Sequence, residues 1–319
     1  MIKIIDATLT MLDEYPITAE QVREMIRLLR SMSVAGIVIS PHIYEILEGV
    51  LPQGSSYYME LPYEYHAADY PGIGRMITSH RDGTGKYIRN VQVNDLTQLQ
   101  SMAGIEQGKN IRVTGLDDLL TYESRGIYDR WTERLKELSP ILYPEDTYCC
   151  ATAIAVSYLQ FHNQGSVMTT FTGIGNKAAT EQVLLSMHIG KRYRPNLNFS
   201  EMAALRRLFE QIIDSKVTSH APIVGEKVFY IESGVHVDGV LKRPSNYEPY
   251  PAELVGAQRK VVLGKHSGKA SIHYELETLG FSGEYPIPLI LERVKRISMK
   301  KRGEVTDKEF CQILKEFRK

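Results

Sequence analysis

Two short stretches of this 319-residue sequence carry the side chains best suited to chemistry. In the first stretch, Glu232, His236 and Asp238 fall at alternate positions, with Ser233 and two glycines among them. An extended or turning segment would therefore set several polar groups near one point. An imidazole titrates near neutral pH, so His236 is a candidate acid, base or electrophile.

The second stretch places a cation, an imidazole and a hydroxyl, Lys265, His266 and Ser267, between Gly264 and Gly268. Glycines allow a backbone to approach a ligand closely, so this stretch is a candidate binding loop. A polar surface hairpin with two solvated histidines accounts for the same residues. Residue chemistry alone leaves both interpretations open.

The preceding sequence alternates between strands and helices. Apolar runs of strand length predict strands at residues 2–9, 34–40, 57–61, 75–79, 87–93, 111–114, 141–143 and 167–172. Periodic apolar residues and capping side chains predict helices after Thr18, after Asp95, at 128–138, 151–161 and 178–189, after Ser200, and at 287–297 and 308–317.

This alternation predicts an α/β fold, a shortened (β/α) barrel of the TIM type that is closed or partly collapsed. We place the barrel at residues 1–195, a connecting helix and linker at 196–225, and a C-terminal α+β lid with terminal helices at 226–319. With 43% hydrophobic residues the chain has enough apolar material for a large core.

Composition excludes several classes of partner. Lys plus Arg equals Asp plus Glu at 38 each, so nothing favours nucleic acid or an acidic membrane. The three cysteines have neither a disulfide pattern nor zinc spacing. Without a recognisable leader or a long apolar run, we expect a cytoplasmic protein.

The candidate stretches belong to a longer series of motifs. Residues 232–239 read ESGVHVDG, residues 246–249 read NYEP, residues 254–256 read LVG, and residues 263–269 read LGKHSGK. In order and spacing this series resembles the lid of the homocitrate synthase and isopropylmalate synthase family. Within the family, it is most similar to the homocitrate synthases that serve nitrogenase cofactor assembly.

The resemblance implies a metal-dependent barrel that condenses acetyl-CoA with a 2-oxo acid, and a lid that completes the active site of a partner subunit. It implies that His236 and Tyr247 are catalytic in that partner's site. It also implies that Glu232, Ser233, His266 and Ser267 lie near the substrate or the acyl donor.

The barrel departs from the family pattern where the metal should bind. The first strand should continue into an arginine, an acidic metal ligand and a glycine, and here it continues into Thr10, Met11 and Leu12. Asp13 and Glu14 lie just beyond, out of register with that ligand. No His-x-His pair, expected on the seventh strand, occurs in the sequence. We therefore predict no metal ligand in this chain.

Two further departures affect the rest of the barrel. The barrel is about fifty residues shorter than the family's, equivalent to one or two βα units. Residues 142–153 fit either the sixth or the seventh strand. The loop at 172–178 resembles the family's Asn-Gly-x-Gly-Glu-Arg-Ala turn but begins with Thr172, which puts binding of CoA in doubt.

Together these features predict a subunit of a homocitrate synthase-type acyltransferase (acetyl-CoA plus 2-oxoglutarate to homocitrate) that lends its lid to a partner. The alternatives are a non-catalytic binding or regulatory protein that dimerises through the lid, and an independently active synthase. The partner would be a second copy or an intact family barrel, and that barrel would hold Mg²⁺ or Mn²⁺ and acetyl-CoA. We expect Val235, Val237, Val240 and Leu241 to be partly buried in that interface rather than on a free surface.

Overall fold

The first 224 residues form a closed barrel of eight parallel strands in the computed structural model. The structure describes the whole chain except residues 82, 95–97, 99–109, 118, 121–132, 134, 163, 191–197 and 318–319. In chain order the strands are β1 (Ile2–Asp6), β2 (Gly36–Ile39), β3 (Tyr57–Glu60), β4 (Arg75–Thr78), β5 (Tyr87–Val93), β6 (Ile111–Gly115), β7 (Ile141–Pro144) and β8 (Gly165–Thr169). The predicted TIM-type barrel is confirmed.

Closure of the barrel depends on the pairing of its first and last strands. β1 and β8 pair in parallel along their full length, from Ile2 opposite Gly165 to Asp6 opposite Thr169. Alternate side chains of the strands point inward and form an apolar layer. Its buried members are Ile5, Ala7, Val38, Ile77, Ile88, Tyr143 and Met168.

Helices follow several of the strands. Those with both ends in the described part of this unit are α1 (Ala19–Ser31), α2 (Pro41–Ile46), α3 (Ala151–His162), α4 (Thr180–Ile189) and α5 (Met202–Ile212), and residues 135–138 are helical as well. As predicted, the Thr18 side chain caps α1, accepting a hydrogen bond from the Gln21 N–H. The predicted cap of α5 is wrong: a 3₁₀ turn, Phe199–Glu201, precedes this helix, and the Ser200 hydroxyl donates to Asn198 instead. The helices predicted after Asp95 and across most of 128–138 lie outside the described residues.

The expected loss of a βα unit is wrong, because all eight strands are present. The barrel unit is short because some of the segments that connect its strands are short. Among the described residues, the segment from β3 to β4 contains only a 3₁₀ turn, Ala67–Asp69, and that from β4 to β5 contains no helix. Residues 141–144 form the seventh strand, so the register that the sequence left open is settled.

The second unit, Gly225–Lys319, contains every residue of the lid, and we keep that name for it. It comprises the short parallel strands β9 (Tyr230–Ile231) and β10 (Lys260–Val261) and the helices α6 (Gly234–Lys242), α7 (Lys269–Thr278), α8 (Ile287–Lys301) and α9 (Asp307–Phe317). Its core joins α7, α8 and α9 through Ile272, Ile290, Val294, Phe310 and Ile313.

The segment 196–225, which we predicted to be a separate connection between barrel and lid, belongs to the first unit except for its last residue. The first unit extends to Val224, and α5 packs against α1. The predicted connecting helix is therefore part of the barrel unit. Within the described residues, we find no helix whose length and apolar character would allow it to span a bilayer.

Candidate functional site

The first candidate site is the barrel mouth, the end of the barrel where the carboxyl ends of β1 to β8 meet. After β1 the chain turns into a 3₁₀ helix, Thr8–Met11. The Thr10 hydroxyl donates to the Ala7 carbonyl over 2.8 Å, the Met11 sulfur packs against Gly175, and Leu12 is fully buried. Thr10, Met11 and Leu12 thus serve local packing.

The carboxylates that follow this turn do not enter the mouth as ligands. Asp13 is exposed and accepts a hydrogen bond of 2.6 Å from the Ser40 hydroxyl, and Glu14 is exposed. Desolvation of its carboxyl group raises the pKa of Asp13, and the hydrogen bond from Ser40 opposes that shift.

Tyr143 and Glu145 lie at the carboxyl end of the seventh strand, Tyr143 on β7 and Glu145 directly after it. Tyr143 belongs to the buried inner layer, and Glu145, two residues later, continues the same face. The Lys177 ammonium donates to Glu145 Oε1 over 2.7 Å and lies 4.5 Å from the centre of the Tyr143 ring. A protein cation therefore occupies this part of the mouth.

A second cation, Arg112 on β6, lies inside the barrel. Its guanidinium is paired with Glu60, donates to Asn90 Oδ1 over 2.8 Å, and lies 5.0 Å from the Tyr143 ring centre. Burial, followed by the charge of Glu60, raises the pKa of Tyr143, so this phenol stays protonated. Its hydroxyl has no hydrogen-bond partner among the described residues.

The residues at the barrel mouth do not fit a divalent metal. Both oxygens of Glu145 are engaged, one by Lys177 and the other by Gln92 at 3.2 Å. Both oxygens of Asp6 are engaged as well, by the Thr8 N–H at 2.9 Å and the Thr180 hydroxyl at 2.6 Å. In the described part of the chain, no three His, Cys, Asp or Glu side chains are placed to hold an ion.

Sequence reasoning missed a buried carboxyl beneath the last loop of the barrel. Glu181, at the start of α4, is 1% exposed, and its Oε2 accepts a 2.9 Å hydrogen bond from the Thr172 N–H. Burial raises the pKa of Glu181 to about 7. Burial also raises the pKa of Asp6. The available signal was a glutamate within an otherwise apolar helix, QVLLSMHI, that packs on the barrel.

The second candidate site is on the lid, and its backbone differs from our prediction. Residues 232–238 are not an extended segment, because helix α6 begins at Gly234. In a helix, residues three or four apart share a face, so alternate spacing does not bring His236 and Asp238 together. Asp238 instead pairs with Lys242 at 2.7 Å.

The structure does bring His236 and Tyr247 together. Their ring centres are 5.7 Å apart in an edge-on arrangement, and both side chains are exposed. The Tyr247 ring lies over Gly239, where any side chain would clash with it at 2.3 Å. A glycine on α6 therefore fixes the phenol beside the imidazole.

The remaining predicted residues form the loop junction behind α6. Glu232 Oε1 accepts from the His266 N–H over 2.8 Å, and the Ser267 hydroxyl accepts from the Gly264 N–H over 2.8 Å. Ser267 is 2% exposed, and the His266 side chain is exposed. Glu232 and Ser267 thus act as backbone supports, and Ser233 is the N-cap residue of α6 without a side-chain cap.

The apolar residues of α6 divide into two pairs. Val237 and Val240 are buried within the lid, so our expectation that they lie in an interface is wrong. Val235 and Leu241 are 77% and 52% exposed and remain available to a partner.

Comparison with known proteins shows that the lid is similar to a known domain family. Residues 223–302 match the family model described as homocitrate synthase post-HMGL domain-like. The chain is 34% identical over 173 residues to the homocitrate synthase omega subunit of Clostridium pasteurianum, covering 54% of this chain and 49% of that protein. It is 35% identical over 156 residues to homocitrate synthase AksA of Methanocaldococcus jannaschii, covering 47% and 38%.

A third relative is the probable 2-isopropylmalate synthase of Ignicoccus hospitalis, 39% identical over 132 residues, with 40% of this chain and 33% of that protein covered. The chain spans about half or less of the length of these relatives. The resemblance that the lid motifs predicted is confirmed.

Proposed function

We propose that this chain is a subunit of a homocitrate synthase-type acyltransferase and lends its lid to a partner. The match of residues 223–302 to the homocitrate synthase post-HMGL domain supports this proposal. One contrast within the chain carries the proposal. The lid keeps the family's motifs and presents an exposed His236–Tyr247 pair, whereas Lys177 and Glu145 neutralise each other in the barrel mouth. The relative from Clostridium pasteurianum, which is named as a subunit, supports the same view.

Chemistry explains why a lid without a working barrel needs a partner. Condensation of acetyl-CoA with a 2-oxo acid requires a group that polarises the keto oxygen and a cation near the thioester enolate. In this chain Arg112 is paired with Glu60, and Lys177 with Glu145, so neither cation is free for such a task. The partner barrel would supply these groups, together with a divalent metal and acetyl-CoA.

The lid would supply proton transfer. The acetyl methyl must lose a proton to become a nucleophile, and a neutral imidazole is a suitable acceptor. His236 is exposed on α6, and Tyr247 beside it has a phenolic hydroxyl that can donate a hydrogen bond. Glu232 and Ser267 would hold the loop junction that positions α6.

The proposal is tested on the complex captured from native cells by an affinity tag on this chain. Homocitrate formation from acetyl-CoA and 2-oxoglutarate is measured per assembled complex, with wild-type and His236→Ala chains. The substitution should lower turnover by roughly two to four orders of magnitude, the usual range for a positioned acid or base. Assembly should be unchanged.

Asp238→Asn is the matched control, because Asp238 is exposed on the same helix and contacts only Lys242 among the described residues. It should leave turnover unchanged. An unchanged rate for His236→Ala would end the lent-lid mechanism. That outcome would favour a lid used for dimerisation only, the alternative that the exposed Val235 and Leu241 support.

A further inference from the structure

The lid contains a cavity away from the His236–Tyr247 pair. It has a volume of about 300 Å³ and lies between β10, the following residues, α7 and the start of α9. One wall, residues 304–308, is joined to the lid by the antiparallel bridge between Leu263 and Val305. That wall lies outside residues 223–302, which match the family model.

The lining of the cavity includes a carboxyl without a hydrogen-bond or ion-pair partner among the described residues. Glu275 on α7 is 7% exposed, lines the cavity, and has no hydrogen-bond or ion-pair partner among the described residues. Burial raises the pKa of Glu275, the nearby Asp307 raises it further, and Lys260 opposes the shift. A carboxylate in such a place is costly unless a cation or a hydrogen-bond donor meets it.

The walls and the rim differ in character. Val261, Leu263, Val305 and Phe310 line the cavity with buried apolar surface. The rim carries exposed charges of both signs. Among them Glu304 is paired with Lys227 at 3.2 Å. The cavity therefore offers a ligand both apolar surface and the Glu275 carboxyl.

These features select one class of ligand. A metal ion does not suit the cavity, because its described donors form no group of three His, Cys, Asp or Glu. A neutral apolar molecule would leave Glu275 without a partner. We propose that the cavity binds a small organic cation, a primary ammonium on a short aliphatic stem, with the ammonium against Glu275 and the stem against Val261, Leu263 and Val305.

The test uses the full chain and n-butylammonium as the probe, with 1-butanol as its neutral analogue. Methyl NMR signals of Val261, Leu263 and Val305 report on occupancy of the cavity. The probe should shift them in a saturable manner, and 1-butanol should bind at least about tenfold more weakly, because its neutral hydroxyl can donate a hydrogen bond to Glu275 but lacks the positive charge of the ammonium.

Two variants distinguish binding of the ammonium by Glu275 from nonspecific electrostatic attraction to the helix surface. Glu275→Gln keeps the side-chain shape and should weaken binding of n-butylammonium by about tenfold or more. Glu277→Gln removes an exposed carboxylate from the same helix and should change nothing. Equal binding of both probes, equal binding by Glu275→Gln, or shifts confined to other surfaces would overturn the proposal. If Glu275→Gln fails to fold, the comparison of the two probes on the wild-type chain still tests the proposal.

Discussion

The ammonium of Lys177 lies 4.5 Å from the centre of the Tyr143 ring. The same ammonium is hydrogen-bonded to Glu145, so one lysine contacts two neighbouring side chains at the carboxyl end of the seventh strand. Arg112 approaches the same ring to 5.0 Å. Two cations of the protein itself thus flank the Tyr143 ring.

The first prediction concerns the stability that this lysine provides. Lys177→Met keeps the stem and removes the charge, so it loses both the contact with the Tyr143 ring and the pair with Glu145. The free energy of unfolding should fall by about 1–2 kcal/mol, since the pair is only partly shielded from solvent. Urea titration of the chain measures this, and Arg23→Met, at an exposed position on α1, is the control.

The second prediction concerns the isolated chain. Because the carboxylates of Glu145 and Asp6 have both oxygens engaged within the protein, and no three His, Cys, Asp or Glu side chains of the described residues are placed to hold an ion, the chain alone should neither retain Mn²⁺ nor condense acetyl-CoA with 2-oxoglutarate. Calorimetry with Mn²⁺ and an assay of free CoA release check the two parts. Stoichiometric binding that a chelator abolishes, accompanied by turnover, would contradict this prediction.

Much of the barrel follows from local patterns. Short apolar runs bounded by glycine and proline predicted each strand to within a few residues, because a strand buried on both faces has little freedom in composition. The lid motifs identified the residues of the second candidate site. Their backbone was predicted wrongly, because GVHVDGVLK has two glycines and an apparent alternation, whereas Val237 and Val240 are buried at helical spacing.

Contacts that depend on closure could not be predicted from local patterns. Lys177 and Glu145 meet only because β7 and the loop after β8 lie side by side, and Arg112 meets Glu60 across the barrel interior. The arginine within the apolar run IRVTG was a usable signal of a buried ion pair, but its partner depended on the strand register.

The third prediction concerns pH and Glu181. The folded-state pKa of Glu181, about 7, exceeds the ordinary value of 4.5, so the folded state holds this proton more tightly than the unfolded state. The contribution of Glu181 to stability should therefore be greatest below pH 4.5, should fall as the pH rises to 7, and should change little above that. The predicted loss is about 3 kcal/mol, and the raised pKa of Asp6 acts in the same direction.

Glu181→Gln isolates this contribution, because an amide oxygen can still accept from the Thr172 N–H. The variant should match the wild-type chain at low pH and exceed its stability at pH 8. Urea titrations at both pH values provide the measurement, with Glu20→Gln as an exposed control. Parallel pH profiles for Glu181→Gln and the wild-type chain would show that this carboxyl does not titrate as predicted.

The fourth prediction concerns the glycine pair behind the lid loops. A Cβ at Gly234 would lie 2.4 Å from the Gly268 Cα, and backbone cannot move aside as a flexible side chain can. Gly234→Ala should therefore destabilise the chain by about 3 kcal/mol or more. Gly303→Ala, whose Cβ would have no neighbour closer than 3.8 Å, should be close to neutral. Equal thermal stability of the two variants would mean that the close approach is not required.

The last prediction separates association from folding on α6. Val235 and Leu241 are exposed, so Val235→Ser and Leu241→Ser should leave the free energy of unfolding within about 0.5 kcal/mol of the wild-type value. If these two side chains lie in a partner interface, each substitution removes apolar surface that the partner buries. The dissociation constant of the complex with the partner should then rise by about tenfold. Val237→Ser should behave in the opposite way, because Val237 is fully buried and its substitution lowers stability first. Light scattering over a concentration series, with urea titration of the same samples, measures both quantities. A chain that stays monomeric at every concentration, alone and in lysate of its native cells, would remove the basis for a lent lid.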